Sequence, residues 1–275
     1  MSWNKKQRIV SIVIPVYNRG KFIEKTLASL VKVNYRPLEV VVVDDGSTDN
    51  SLDVVQKFKE DYENDDFLIK IISQSNYGAP VARNVWLSES RGDYIQFLDS
   101  DDFIHEDKIQ LQIQLLENSN ADFCVSDFTM RFTQTGNVKY HSNQKKVLKI
   151  IFPSLSFGCW SALISRSLAM KLDWNMNLHR NQDMDYFLRA ALIANKVVHI
   201  KKALYYYSMH NEDRISDNYT TSNPVFYKRI KWLIKTKVNK KNIPLKYIAI
   251  LFLGIKLIRW HIWKIIKIRH ISYIW

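Results

Sequence analysis

Apolar residues in the first half of the chain fall into short unbroken runs that alternate with stretches of helical spacing. RIVSIVIPV (8–16), LEVVVV (38–43), FLIKIIS (67–73), DYIQFL (93–98) and ADFCVSDF (121–128) are rich in β-branched and aromatic residues and too short for ordinary helices. Between them, FIEKTLASLVK (22–32), SLDVVQKFKEDYE (51–63), APVARNVWLSES (79–90) and HEDKIQLQIQLLENS (105–119) repeat apolar residues every three or four positions. That period gives a helix one buried face. Near-continuous Val/Ile strands are those covered on both faces, so the alternation predicts an α/β fold with a mostly parallel sheet flanked by helices. Beyond residue 128 the pattern is less regular. TMRFTQTGNVKYH (129–141) predicts a hairpin turning at TGN, DMDYFLRAALIANK (183–196) a helix and VVHIKKALYYYS (197–208) a strand pair.

Composition narrows the class. With 47% hydrophobic and 13% aromatic residues, the 275-residue chain buries a sizeable core, which excludes a disordered protein. Cys124 and Cys159 are too few for a disulfide framework or a thiolate metal cluster, and they predict a reducing, cytoplasmic setting. MSWNKKQ at the start is polar and no small-residue cleavage site follows, so no signal peptide is expected.

The net charge of +13 is unevenly placed. Residues 218–275 hold 13 of the 40 Lys and Arg and none of the 27 Asp and Glu, which leaves 27 of each sign in residues 1–217. The break predicts a folded domain over 1–217 and a basic tail over 218–275. The tail's longest apolar run, YIAILFLGI (247–255), falls short of the roughly 20 residues a membrane-spanning helix needs. On a helix, Lys256, Arg259, Lys264 and Lys267 share an arc of about 140°, and Leu257, Ile258, Ile262, Ile265 and Ile266 take the other side. Such a helix lies on an anionic membrane surface, or packs its isoleucines against the domain. A basic, Trp-containing tail also fits a non-catalytic nucleotide- or nucleic-acid-binding module. The front half, however, has no basic surplus and no nucleic-acid motif, so no nucleic acid is expected as partner.

Two acidic turns carry the candidate chemistry: VVVVDDGSTD (40–49) and FLDSDDF (97–103), each at the end of a predicted strand. Open α/β sheets bind ligands outside the carboxyl ends of their strands. In an extended segment Asp99 and Asp101 share a side. Two hard carboxylates there suit Mg²⁺ or Mn²⁺, with a substrate phosphate completing the shell. A solvated acidic turn without metal fits the same four letters. Receiver domains and haloacid-dehalogenase phosphatases each account for one of the two turns and leave the other unused.

Six stretches taken together, VSIVIPVYNRGKFIEKTLASL, LEVVVVDDGSTDNS, SNYGAPVARN, GDYIQFLDSDD, RNQDMDYFLRAAL and LYYYSMHNEDRIS, resemble the family 2 glycosyltransferases of GT-A fold in order and spacing from about residue 10 to 216. The resemblance implies an inverting transferase that moves a sugar from a nucleotide diphosphate donor, expected to be UDP-linked, to an acceptor hydroxyl. By the same resemblance, Pro15 and Tyr17 border the nucleobase, and Asp45, backed by Asp44, accepts a hydrogen bond from the base edge. Asn76, Gly78 and Arg83 surround the nucleotide. Asp99 and Ser100 lie by the ribose and donor sugar, and Asp101 ligates the Mn²⁺ or Mg²⁺. Asp183 falls at the catalytic base, with Gln182 on the acceptor side where relatives carry Glu. His210, Arg214 and Ser216 match a loop that closes over the pyrophosphate, His210 being a further metal ligand. Trp86 stands where relatives often have a small residue. A glycan or lipid-linked acceptor in surface polysaccharide synthesis is expected, the lipid-linked form and a peripheral location on the inner face of the cell membrane being inferred from the basic tail.

Overall fold

The computed structural model describes residues 7–132, 135–141, 161–178 and 182–209. The tail, Cys159, His210, Arg214 and Ser216 lie outside the described residues.

Four strands form a parallel block: β1 (Val10–Val16), β2 (Leu38–Asp44), β3 (Phe67–Ser73) and β4 (Tyr94–Phe97), in the order β3-β2-β1-β4. The helices α1 (Gly20–Val31), α2 (Ser51–Tyr62) and α3 (Ala79–Glu89) connect them. All seven residues of β2 are buried, as the unbroken run LEVVVV requires of a strand covered on both faces. Alternate residues divide between the faces. Ile12, Ile14, Val40 and Val42 pack with Ile23, Leu27 and Leu30 of α1 and Val55 and Phe58 of α2. Val41 and Val43 meet Ala82 of α3 on the opposite side.

The sheet continues past β4 with mixed direction. β5 (Phe103–Ile104), α4 (Lys108–Ser119), β6 (Phe123–Phe132), β7 (Val138–His141), β8 (Ala162–Ser165), α5 (Arg166–Ala169), α6 (Gln182–Ile193) and β9 (Val197–Met209) complete the chain order. The strand order runs on as β4-β8-β6-β9-β5, with β7 on β6 as the expected hairpin. β6 and β9 are parallel, whereas β8 runs antiparallel to both of its neighbours and β5 antiparallel to β9. The mostly parallel description therefore holds for the first half, and the second half is mixed. β5 and β8 were not expected from the sequence, since two and four residues are too short to show a period.

The expected strand pair over 197–208 is corrected to one strand, β9. Ser126 pairs with Ile200 but Asp127 pairs with Ala203, so Lys201 and Lys202 form a bulge in a continuous strand. Both lysines are exposed, and their polarity imitates a turn.

On the face of β4 and β6 opposite α4, an aromatic group seats α6. Trp174 and Tyr186 stack with centroids 4.5 Å apart, and Phe97 meets them edge-on at 5.0 and 5.4 Å. Phe187 joins them, and none of the four is more than 1% exposed. Burying each ring contributes about 2–3 kcal/mol, so α6 is held firmly to the end of β4.

The other side of β4 buries a polar group. Lys108 is fully buried at the start of α4; its Nζ donates to Gln96 Oε1 of β4 and, at 2.6 Å, to Gln112 Oε1. Gln112 Nε2 donates to the carbonyls of Ser161 (3.1 Å) and Cys124 (3.3 Å). Burial pushes the Lys108 amine down to about 7 and the Cys124 thiol up to about 12. No helix among the described residues is long and apolar enough to cross a membrane.

Candidate functional site

The turns after β1 and β2 are stapled together by short polar side chains. Asn18 takes a left-handed backbone (φ 51°), which Asn tolerates better than most residues. Its Oδ1 accepts from Thr48 N (2.8 Å), and its own N–H donates to Ser47 Oγ (3.0 Å). Arg19 N donates to Ser51 Oγ (2.7 Å) and Gly20 N to Asp49 Oδ2 (3.0 Å). The DGSTDN turn therefore closes the end of β1 as well as the start of α2.

Asp44 and Asp45 are both buried but do different work. Asp44 accepts from Ser47 N at 3.3 Å within its own turn. Asp45 accepts from Gln74 Nε2 (2.6 Å), Tyr77 N (2.9 Å) and Gly78 N (2.8 Å). An ionised carboxylate offers about four acceptor positions, so most of its capacity already holds the loop after β3. Gly46 (φ 75°) and Gly78 (φ 90°) permit this, and a Cβ on Gly46 would lie 3.0 Å from Asn76 N. Pro15 sits half-buried opposite Val43, while Tyr17 and Asn76 are exposed on the same rim. Tyr77, which was not expected from the sequence, is 68% exposed there.

The crowd of carboxylates after β4 resolves into two kinds. Asp102 is buried at 1% exposure, where Tyr205 Oη donates to its Oδ2 and Ser208 N to its Oδ1 at 2.8 Å. Burial, reinforced by the charges of Asp101 and Asp99, pushes its pKa well above the usual carboxylate range. It anchors the turn to β9. Asp99 and Asp101 stay partly exposed, and between them Ser100 is buried, its carbonyl accepting from Thr26 Oγ1 at 2.9 Å.

Arg83 joins this turn to the start of α6. It lies 8% exposed on α3, with its guanidinium carbon 4.7 Å from the centre of the Trp174 ring. Nη2 donates to Asp99 Oδ1 at 2.9 Å and Nη1 to Gln182 Oε1 at 3.1 Å. Asn84 fixes the Trp174 backbone in both directions, donating to its carbonyl (2.9 Å) and accepting from its N–H (2.7 Å). Gln182 Nε2 donates to Leu178 O at 2.8 Å.

Asp183 is therefore one residue from Gln182, which shares the Arg83 guanidinium with Asp99. The two acids in the first turn of α6 differ in setting. Asp185 is fully buried and paired with Arg189 at 2.8 Å, whereas Asp183 is partly exposed. Of the expected residues, the structure brings Arg83, Asp99 and Gln182, with Asp183 next in sequence, to one place and gathers Gly78 and Asp45 farther along the same carboxyl edge of the parallel strands. Asn18, Asp49, Gln74, Tyr77, Asn84, Asp102 and Trp174 also shape the site. Asn18, Asp49 and Asp102 carried a local signal, as turn-type or acidic residues in the turns that follow strands, and the others did not.

Comparison with known proteins identifies the family and the fold. The model for "Glycosyl transferase family 2" matches residues 11–192. The chain is 27% identical over 214 residues to the glycosyltransferase GlyA of Streptococcus pneumoniae serotype 4, covering 72% of this chain but 30% of GlyA. It is 27% identical to the putative teichuronic acid biosynthesis glycosyltransferase TuaG of Bacillus subtilis, with 84% of this chain and 89% of TuaG covered. Among solved structures, S. aureus TarS 1–349 in complex with UDP-GlcNAc superposes with a TM-score of 0.74 at 25% identity, covering 89% of this chain and 71% of TarS 1–349. The mannosyltransferase PcManGT of Pyrobaculum calidifontis shares the fold with a TM-score of 0.59 at 16% identity, over 92% of this chain and 81% of that one. The family match spans β1 to α6, the segment that builds both ends of the site, and the chain belongs to glycosyl transferase family 2.

Proposed function

We propose that the protein transfers a sugar from a UDP-linked donor to a hydroxyl of a surface glycan or lipid-linked glycan, with inversion at the anomeric carbon. The observation that carries this reading is the Arg83 bridge, which puts the carboxylate turn after β4 beside the helix that begins with Gln182 and Asp183. A donor phosphate group and an acceptor proton have to be handled within a few ångströms of each other, and here the two sets of residues are adjacent. The UDP-GlcNAc bound by TarS supports a uridine donor, and TuaG supports a cell-surface polysaccharide as product.

Asp99 and Asp101 offer partly exposed, hard carboxylate oxygens, and among the described residues no three His, Cys, Asp or Glu side chains gather as a closed cage. That donor set fits Mg²⁺ or Mn²⁺ with the remaining ligands drawn from phosphate oxygens and water. Asp101 would be the principal ligand. When bound, the ion neutralises the charge that builds on the departing diphosphate. Arg83 adds a fixed positive charge behind Asp99. Tyr17, Tyr77 and Asn76 line the rim for the nucleobase, and Asp45 sets the loop that carries the latter two. Asp183 accepts the proton from the acceptor hydroxyl as its oxygen bonds to the anomeric carbon and the bond to the diphosphate oxygen breaks. One displacement inverts the centre and needs no enzyme nucleophile.

His210, Arg214 and Ser216 would close over the diphosphate, with His210 reaching the cation. The tail over 218–275 would hold the enzyme to the anionic inner face of the cell membrane, where a lipid-linked acceptor resides. The test is a screen of nucleotide sugars for hydrolysis and thermal stabilisation with and without Mn²⁺. Metal-dependent release of UDP supports the reading, and no turnover or stabilisation by any nucleotide sugar refutes it.

A further inference from the structure

Away from the Arg83 bridge, a second group of polar side chains joins β6, β7 and β9. Asp127 of β6 is fully buried, and Tyr140 Oη of β7 donates to its Oδ2 at 2.5 Å. Its Oδ1 lies 2.8 Å from Nε2 of His199 on β9, a side chain only 6% exposed. The carboxylate thus ties three strands together and fixes the Tyr140 hydroxyl, while Tyr140 as a whole remains 54% exposed. Val138, two residues away and on the same face of β7, is 61% exposed. An aromatic side chain held at its polar end and still half exposed has already lost the rotamer freedom that binding would otherwise cost.

Strand order places this side chain relative to the reaction. The turns proposed for the nucleotide follow β1, β2 and β3, the carboxylate turn follows β4, and β6 lies two strands beyond β4. β8 is antiparallel to both, so β6 runs in the direction of β4 and its later residues reach the same edge as Asp99. Phe123 and Val125 of β6 pack with Phe97 and Tyr186 on the face that carries α6. Side chains alternate, so Asp127 is on that face as well, and Tyr140 is bonded to it there. With strands about 4.8 Å apart, the group stands roughly 10 Å from the line of β4, on the side away from β1 to β3. A single displacement requires the acceptor oxygen to enter opposite the departing diphosphate, which is the side of β6. A pyranose presents a face of C–H groups with slight positive charge, and the face of an aromatic ring is negative. Arg131, exposed and opposite Val138 in the hairpin, supplies donors for hydroxyls at the rim. We propose that Tyr140 binds the acceptor, as a platform on which one pyranose ring of the acceptor glycan stacks. The proposal rests on the reading that the parallel block binds the donor, and its test separates the two.

The probes are the methyl glycosides of glucose, galactose, mannose and N-acetylglucosamine. Their binding to the full chain with UDP and Mn²⁺ is followed by saturation-transfer NMR for the wild type, Y140A and Y140F, with calorimetric titration of UDP alongside. In the wild type, irradiation of aromatic resonances is expected to reach the C–H protons on one face of at least one glycoside. That measurement needs no substitution, so it decides the matter even where Y140A melts early. Y140A is expected to bind the same glycoside roughly three- to tenfold more weakly, from the lost ring, with UDP affinity unchanged. Y140F keeps the ring and loses the hydroxyl anchor, and is expected to weaken glycoside binding about twofold. No transfer to any of the four glycosides, or equal binding by wild type and Y140A, overturns the proposal while Mn²⁺-dependent UDP binding stands. Equal losses of UDP and glycoside affinity in a folded Y140A also overturn it, because the ring would then serve the site as a whole. A wild type that binds a glycoside through Tyr140 but no UDP supports the platform and refutes the donor reading.

Discussion

Replacing Lys108 by Met should flatten the dependence of stability on pH. The Lys108 amine is fully buried between Gln96 and Gln112, and burial brings its pKa from 10.5 down to about 7. The unfolded chain keeps that proton up to about pH 10.5, whereas the folded chain releases it near 7. Between these values the unfolded state binds more protons, so stability rises with pH, by up to about 1.4 kcal/mol per unit. Below pH 7 the penalty of charging the buried amine is nearly complete, and above 10.5 it is absent. From pH 7 to pH 9 this one group should contribute a gain of about 2 kcal/mol. Met fills similar volume without a titrating proton, but leaves the Oε1 atoms of Gln96 and Gln112 without this donor, at a cost of about 1–3 kcal/mol each. Urea unfolding of both proteins at pH 7, 8 and 9 separates the two effects. K108M should be less stable at pH 9, and the difference from wild type should shrink by about 2 kcal/mol on going to pH 7. Other groups titrate in this range, and the comparison cancels those not coupled to Lys108. Parallel pH dependences would show that the amine is not kept largely neutral in the core. Because Gln96 lies on β4, three residues before Asp99, the same substitution should also weaken Mn²⁺-dependent donor binding.

Three further outcomes bear on the reaction and the tail. D101N should keep the fold, since Asp101 is partly exposed in a turn, and lose most Mn²⁺-dependent UDP binding; unchanged Mn²⁺ affinity in the folded variant would dismiss the ligand assignment. D183N should bind UDP like the wild type and transfer sugar roughly 10²–10⁴-fold more slowly, and a wild-type rate would reduce Asp183 to a helix-start acid. Replacing Lys256, Arg259, Lys264 and Lys267 together with Gln should sharply reduce sedimentation with anionic liposomes at low salt, and unaltered binding would favour a tail packed on the domain.

Local pattern and tertiary placement divide clearly in this chain. The strands β1 to β4 and the helices between them were legible because burial repeats with a short period: LEVVVV can only be a strand covered on both sides, and TLASL can only bury one helical stripe. The two acidic turns were legible for the same reason, as polar interruptions at the ends of such runs. Short elements with no full period, β5 and β8, were not, and the bulge at Lys201–Lys202 passed for a turn because an exposed polar pair looks alike in both.

Within the site, residue types were readable and partnerships were not. DSDD announced three carboxylates, but only the sheet order decided that Asp102 turns inward to Tyr205, 103 residues away, while Asp99 and Asp101 stay near solvent. Asp45 read as a ligand-facing acid, and its hydrogen bonds to Gln74, Tyr77 and Gly78 depend on β3 lying beside β2. Arg83 and Gln182 are 99 residues apart and meet because Trp174 and Tyr186 seat α6 against the end of β4. Periodicity reports how each residue is divided between core and solvent along its own element. Which polar groups then share a charge depends on strand order and helix docking, through contacts that neighbours in sequence do not encode.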